Sequence, residues 1–148
     1  MYLDYTASDF LTVTYNCDTH ILVGRWLRPV TPVESRRGYE ELLIASRKEK
    51  ASFWLLDVRR CHSSAPETQQ WLKETYYPKV TAELSTPVCV VYFMSPDLRK
   101  DFEVNGAPLE SATYAGKSFR LSLCTTEGEC LDWLHQQQQP VSQLLNAK

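Results

Sequence analysis

The residues of this chain whose types could do chemistry crowd into one stretch, Asp57-Val58-Arg59-Arg60-Cys61-His62-Ser63-Ser64. A thiol beside an imidazole suggests a cysteine nucleophile, Cys61, with His62 or Asp57 as its base. Sequence neighbours rarely face one another well, so the spacing argues against that use, and the expectation is a protein that is not an enzyme. Asp57 reads better as a structural carboxylate, paired with a nearby arginine or with backbone amides. Ser64 has a structural use as well: Ser64-Ala65-Pro66-Glu67 sets a hydroxyl three residues before a glutamate, the reciprocal pairing that opens a helix. The five cysteines (Cys17, Cys61, Cys89, Cys124, Cys130) show no Cys-x-x-Cys spacing, and His20, His62 and His135 have no ligand spacing to them. Neither a metal nor a cofactor is expected. An odd number of cysteines, one of them inside an apolar run, reads as reduced thiols that mostly fill the core.

These side chains must be carried by strands. Ser52 to Val58, Ser-Phe-Trp-Leu-Leu-Asp-Val, is apolar on both faces, as a strand in a helix-covered parallel sheet requires. Val88 to Met94 is a second such strand. If the two lie parallel, with 52 to 58 at the centre, Asp57, Arg59, His62, Ser63 and Ser95 gather at the carboxyl ends of the strands, with Thr125 on a neighbour. Ligands of open α/β sheets sit at that rim.

The other elements follow from pattern. Leu11, Val13 and Tyr15 alternate with threonines, and Ile21 to Trp26 follows after a polar Asn16-Cys17-Asp18 connection, which predicts an antiparallel hairpin. Thr31-Pro32-Val33-Glu34 and Thr126-Glu127-Gly128-Glu129 repeat the hydroxyl-to-glutamate signature. Behind the first, Val33, Tyr39, Leu42, Leu43 and Ser46 form an inward stripe. Behind Ser64, the stripe is Trp71, Leu72, Thr75, Tyr76 and Val80, and Pro78 should divide that helix into pieces at about 65 to 77 and 78 to 84. Ser95-Pro96-Asp97 resembles a helix start, residues 104 to 117 carry no period, and Phe119, Leu121 and Leu123 alternate as a strand. The fold class is α/β: a mixed, mostly parallel five-stranded sheet with an N-terminal hairpin and about four helices, in the order ββαβαβαβα.

At 148 residues the chain suits one domain, 1–148, burying roughly 70% of its unfolded surface. Net charge is −2 and the arginines are scattered in pairs, so no nucleic-acid partner is expected. The longest apolar run, Val88 to Met94, is far shorter than the ~18 residues of a spanning helix, which predicts no membrane insertion. The start, Met-Tyr-Leu-Asp-Tyr, lacks a basic n-region, so the expected location is cytoplasmic. Of the four tryptophans, Trp54 reads as core, whereas Trp26 with Leu27, if exposed, would form a partner or dimer surface.

The hairpin, the helix after Pro32, Phe-Trp-Leu-Leu-Asp-Val-Arg-Arg, the helix with Trp71, the strand ending in Ser95-Pro96 and the closing Glu-Cys-Leu-Asp-Trp-Leu together resemble the STAS superfamily. That group includes anti-sigma-factor antagonists and sulphate-transporter tails. The closer likeness is to small stand-alone bacterial members, similar by fold to SEC14-type lipid-binding domains. The resemblance spans nearly the whole chain and rests on element order. It implies a non-enzymatic protein-interaction or regulatory module with an unidentified protein partner or a second copy of the chain. In the antagonists a serine opening the helix after the central strand is phosphorylated; by position that is Ser63 or Ser64, where helix amides, Arg59, Arg60 and His62 would favour a phosphate. Here Cys61-His62 precedes the serines and Ala65-Pro66 follows, in place of the antagonists' Asp and Ser-Gly. The SEC14 side of the likeness implies an alternative, a small-molecule or lipid-binding domain with an apolar pocket near residues 95–117. The first reading expects a shallow rim with no buried ionisable cluster, and the second expects a recess.

Overall fold

Phe53–Asp57 (β4) is the fourth strand of a seven-stranded sheet and has a parallel neighbour on each side. The computed structural model describes residues 1–62, 65–84, 87–105, 110–114 and 116–139; Ser63 and Ser64 lie outside them. The other strands are β1 (Tyr2–Asp4), β2 (Leu11–Asn16), β3 (Ile21–Trp26), β5 (Val88–Phe93), β6 (Ala112–Tyr114) and β7 (Lys117–Cys124), in the order β1-β2-β3-β4-β5-β7-β6. The helices are α1 (Pro32–Glu49), α2 (Pro66–Trp71), α3 (Tyr77–Glu83), α4 (Pro96–Asn105) and α5 (Glu127–Gln138), and a π-helical turn, Leu72–Tyr76, joins α2 to α3. Among the described residues the α/β class therefore holds, with four helices if the interrupted one is counted once.

Two details of the expected sheet change. Among the described residues it has seven strands, because β1 and β6 add a three-residue edge on each side, too short to carry an alternating pattern. It is mixed in equal measure: β3–β4, β4–β5 and β5–β7 are parallel, while β1–β2, β2–β3 and β6–β7 are antiparallel.

Side chains alternate across a strand, and this splits the core in two. Leu22, Trp54, Leu56, Val90, Tyr92 and Phe119 face one way and pack with Tyr39, Leu42, Tyr76, Tyr77 and Val80 from the helices. Ile21, Leu55, Cys89, Val91 and Phe93 face the other way, where Cys130 and Leu134 of α5 cover them. The first layer is the larger. All five cysteines are free, three of them buried.

Local sequence accounts for the helix ends. Thr31 accepts from the Glu34 amide at 3.2 Å and Glu34 accepts from the Thr31 amide at 3.0 Å, so the first capping box is complete. Arg28 clamps the same glutamate at 2.7 Å, and this bond, with the Thr31 amide, holds the Glu34 carboxyl down at about 2. Thr126 caps α5 with one bond, its hydroxyl accepting from the Glu129 amide at 3.2 Å. The expected cap at Ser64 is displaced: the cap position of α2 is Ala65, with Pro66 at the first helical position. Val33, expected in the inward stripe, is 78% exposed, because position N2 turns its side chain away from the sheet.

Pro78 does more than kink its helix. Having no N–H, and a ring that crowds the carbonyl four residues back, it is incompatible with a regular α-helical turn. The preceding turn widens into π geometry, with the Tyr77 amide bonded to the Leu72 carbonyl five residues back. One extra residue is thereby accommodated on the inner face. Tyr76 and Tyr77 are both buried, and Thr75, expected inside, is exposed.

Candidate functional site

The carboxyl ends of β3, β4, β5 and β7 form the rim where the chemically capable residues were expected, and strand alternation divides them between its two faces. Asp57 ends β4 on the α5 side. Its parallel neighbours are Arg25 and Phe93. Its side chain is only 7% exposed and fully engaged: Arg59 donates from its amide (3.1 Å) and Nε (3.0 Å) to Oδ1 and from Nη2 (2.8 Å) to Oδ2. Arg25 donates from Nη1 to Oδ2 at 2.9 Å and from Nη2 to Glu127 of α5 at 2.7 Å. Arg59 also lies over the Phe93 ring, 4.1 Å from its centre. Burial pushes the Asp57 carboxyl up, but the bonds from Arg59 and Arg25 outweigh it and hold the group below its ordinary value. The carboxylate ties β4 to β3 and, through Arg25, to α5. It has no proton to give and no lone pair aimed at a recess.

Ser95 is occupied too. Its Oγ accepts from the Leu98 amide at 3.2 Å, which caps α4. Cys61 and His62 lie on the opposite face from Asp57. Burial, with a smaller push from Asp57, raises the Cys61 thiol to about 11, and its Sγ donates to the Arg28 carbonyl at 3.9 Å. A thiol held protonated is a poor nucleophile. Ser63 and Ser64 lie outside the described residues. The rim thus brings Asp57 together with Arg59, and Cys61 with His62, but does not join the two pairs.

Cys61 and His62 border a recess of about 220 Å³. Its lining includes Val30 and Pro32, Tyr39 of α1, Leu72, Leu98 and Phe102 of α4, Tyr92 of β5, and Met94. Among its described lining residues there is no Lys, Arg, Asp or Glu. Asp57, Arg59 and Ser95 are not part of it. Trp26 also lines it and is 3% exposed, so it belongs to the core, stacked 6.2 Å from Phe10 and 5.4 Å from Tyr39. It cannot be the exposed partner surface that its position suggested.

The polar side chains of the recess are Thr31, Ser35, Thr68, Cys61, His62 and the phenols Tyr39 and Tyr92, which belong to a buried tyrosine cluster. Tyr39 and Tyr92 share a hydrogen bond at 2.9 Å, and Tyr92 shares another with Tyr77. Tyr76 donates to the Tyr39 carbonyl and ties the π turn to α1. Burial raises all four phenols well above their ordinary value, so they act as neutral donors and acceptors. Sequence reading placed Tyr39 in a core stripe and Trp26 on a surface if exposed, and passed over Tyr92. The signal was present in Tyr92, a hydroxyl inside the otherwise aliphatic and aromatic run Val88 to Met94, since a buried tyrosine needs a partner for its O–H.

A second depression, about 580 Å³ and shallower, lies at the opposite ends of the strands, between Tyr15, His20, Phe53, His135 and Gln138. Its polar groups are largely paired among themselves, Tyr15 with His20, His135 with Gln138, and Gln138 with the Thr19 carbonyl. Among the described residues no cluster of His, Cys, Asp or Glu could hold a metal ion, and no helix is long and apolar enough to cross a membrane.

No protein-family model matches the chain, and no curated protein or solved structure matches it either.

Proposed function

We propose that this chain is a non-enzymatic small-molecule-binding domain of the cytoplasm, whose site is the recess beside Tyr39 and Tyr92. One observation carries the reading: an apolar space of about 220 Å³ at the carboxyl ends of the parallel strands, walled by α1, α2, α4, β5 and β7. Open α/β sheets place ligands there, and a largely apolar pocket with a few convergent polar groups is the usual form of a small-ligand site. Since a cavity of about 150 Å³ accepts benzene, this one suits a ligand of roughly ten non-hydrogen atoms and favours a small molecule over a two-chain lipid. The protonated Cys61 and the fully paired Asp57 support a binding role without catalysis. Free thiols accord with a reducing compartment.

A regulatory module of the STAS type is the other reading. Its support is the resemblance in element order together with the exposed apolar Leu27 and Val33 on either side of the α1 cap. It called for a shallow rim with no buried ionisable cluster, and a recess of about 220 Å³ favours the ligand-binding reading instead.

The test is a thermal-shift screen with a fragment library of neutral aromatic and alicyclic compounds. A ligand at 100 times its dissociation constant adds about 2.7 kcal/mol, or about 5 to 11 °C for a domain of this size. A screen that moves neither the melting temperature nor the tryptophan emission would leave the recess a packing defect.

A further inference from the structure

The recess offers a ligand few polar groups that the protein does not already use. The Tyr39 and Tyr92 hydroxyls bond to one another at 2.9 Å, and Tyr92 bonds to Tyr77 as well. The Trp26 indole Nε1 is buried away from the accessible space. Cys61 donates to the Arg28 carbonyl, and the Thr31 hydroxyl accepts from the Glu34 amide. Breaking one of these bonds to serve a ligand only exchanges it for another and gains little. Thr31 and His62 are exposed and belong to the mouth, which water reaches. Ser35 of α1 and Thr68 of α2 add one hydroxyl each.

The remaining lining is hydrocarbon and ring surface. Val30, Val58, Leu72, Met94, Leu98 and Phe102 meet the rings of Trp26, Tyr39 and Tyr92 around the same space. Such a surface attracts an apolar solute by dispersion, and the solute's transfer out of water is favourable in proportion to the area covered. Aromatic faces and edges add to this for a ligand that is itself a ring.

Polar ligands fare differently. An amide brings a carbonyl and two N–H donors, and a carboxylate or an amidinium brings a charge; each must leave its water behind on entry. Two single hydroxyls on separate helices do not replace that water, and the described lining has no Lys, Arg, Asp or Glu to pair with an ion. We infer that the ligand of this recess is an uncharged, hydrocarbon-like molecule, aromatic or alicyclic, with no more than a lone hydroxyl to place. The inference rests on the small-molecule reading above and adds to it the chemical class of the ligand.

Four probes that share one branched skeleton on a phenyl ring separate the alternatives on the intact protein: α-methylstyrene, benzamide, benzoate and benzamidinium. The chain has two methionines, Met94 in the recess at 1% exposure and Met1 outside it at 72%. Protein labelled with ¹³C at the methionine methyls therefore reports the site directly, since the ring current of a bound probe displaces the Met94 signal and leaves Met1 as the control. The Met94 signal is assigned by its loss in Met94→Leu, a swap of similar volume. α-Methylstyrene is expected to displace it and to bind at least about tenfold more tightly than benzamide, with both ions weaker still. Benzamide binding within tenfold of α-methylstyrene, or more tightly, overturns the hydrocarbon-like class. Either ion binding more tightly than benzamide overturns the requirement for a neutral ligand. Both of these outcomes leave the small-molecule reading standing, because Met94 still responds. A Met94 signal that no probe moves up to its solubility, or a response at Met1 alone, overturns the site together with the inference.

Discussion

Gly38 offers the sharpest check on how the wall of the recess is built. It lies inside α1, where replacing glycine by alanine ordinarily stabilises a helix by about 1 kcal/mol. Here the new methyl carbon would sit 2.3 Å from Trp26 Cη2, 2.7 Å from Cζ3 and 3.1 Å from Leu11 Cδ2. Carbon atoms in contact prefer about 3.5–4.0 Å, so the indole must retreat by roughly 1 Å or more. It has little room to do so, because Phe10 is stacked on it, Tyr39 packs at 5.4 Å, and Leu11 is fully buried. Overpacking of this kind costs about 1–3 kcal/mol, and a rigid bicyclic ring belongs at the upper end. The net effect of Gly38→Ala is a loss of about 2 kcal/mol, a fall in melting temperature of about 4–8 °C. Gly128 supplies the control, since it also lies in a helix, α5, and nothing approaches within 4 Å of its built Cβ. Gly128→Ala should therefore gain about 0.5 kcal/mol and raise the melting temperature by about 1–2 °C. Circular-dichroism melts of both variants decide the matter. If Gly38→Ala stabilises as Gly128→Ala does, Trp26 is not seated against α1 and the described wall of the recess is wrong.

Two further outcomes follow from the rim. Asp57→Asn leaves Arg25 and Arg59 without their carboxylate, but these guanidiniums are 36% and 49% exposed, so water offsets part of the loss and the cost should be about 2 kcal/mol in urea unfolding. Because the folded carboxyl sits below its ordinary value, the unfolded chain takes up the proton first as pH falls; the stabilisation is complete above about pH 4, declines below it, and should be missing from the pH profile of Asp57→Asn. Cys61, with its thiol raised to about 11, should alkylate slowly with iodoacetamide at neutral pH and faster as the solution approaches that value, as read by peptide mass mapping. Rapid alkylation of Cys61 at pH 7 would contradict its protonated, partly buried state.

The amino-acid sequence by itself determined the interior of the sheet. Two doubly apolar runs, 53 to 57 and 88 to 93, had to be interior parallel strands, because only burial on both faces tolerates a strand without a polar side. The helix caps at Thr31 and Thr126 were legible for a similar reason: each lies within four residues, although only Thr31 completes the reciprocal box. The three-residue strands β1 and β6 were not, since their pairing depends on neighbours rather than on a pattern of their own. The π turn before Pro78 was half legible; the break was visible, but that it would bring Tyr76 and Tyr77 to one face depended on the packing against α1. The site belongs to tertiary structure almost entirely. Linear adjacency put Asp57 with Cys61 and His62, whereas the pleat of the strand sends Asp57 toward α5 and leaves the other two beside a recess lined by Trp26, Tyr39 and Tyr92. Those three come from separate elements, and no local pattern can say that their side chains will line the same small space.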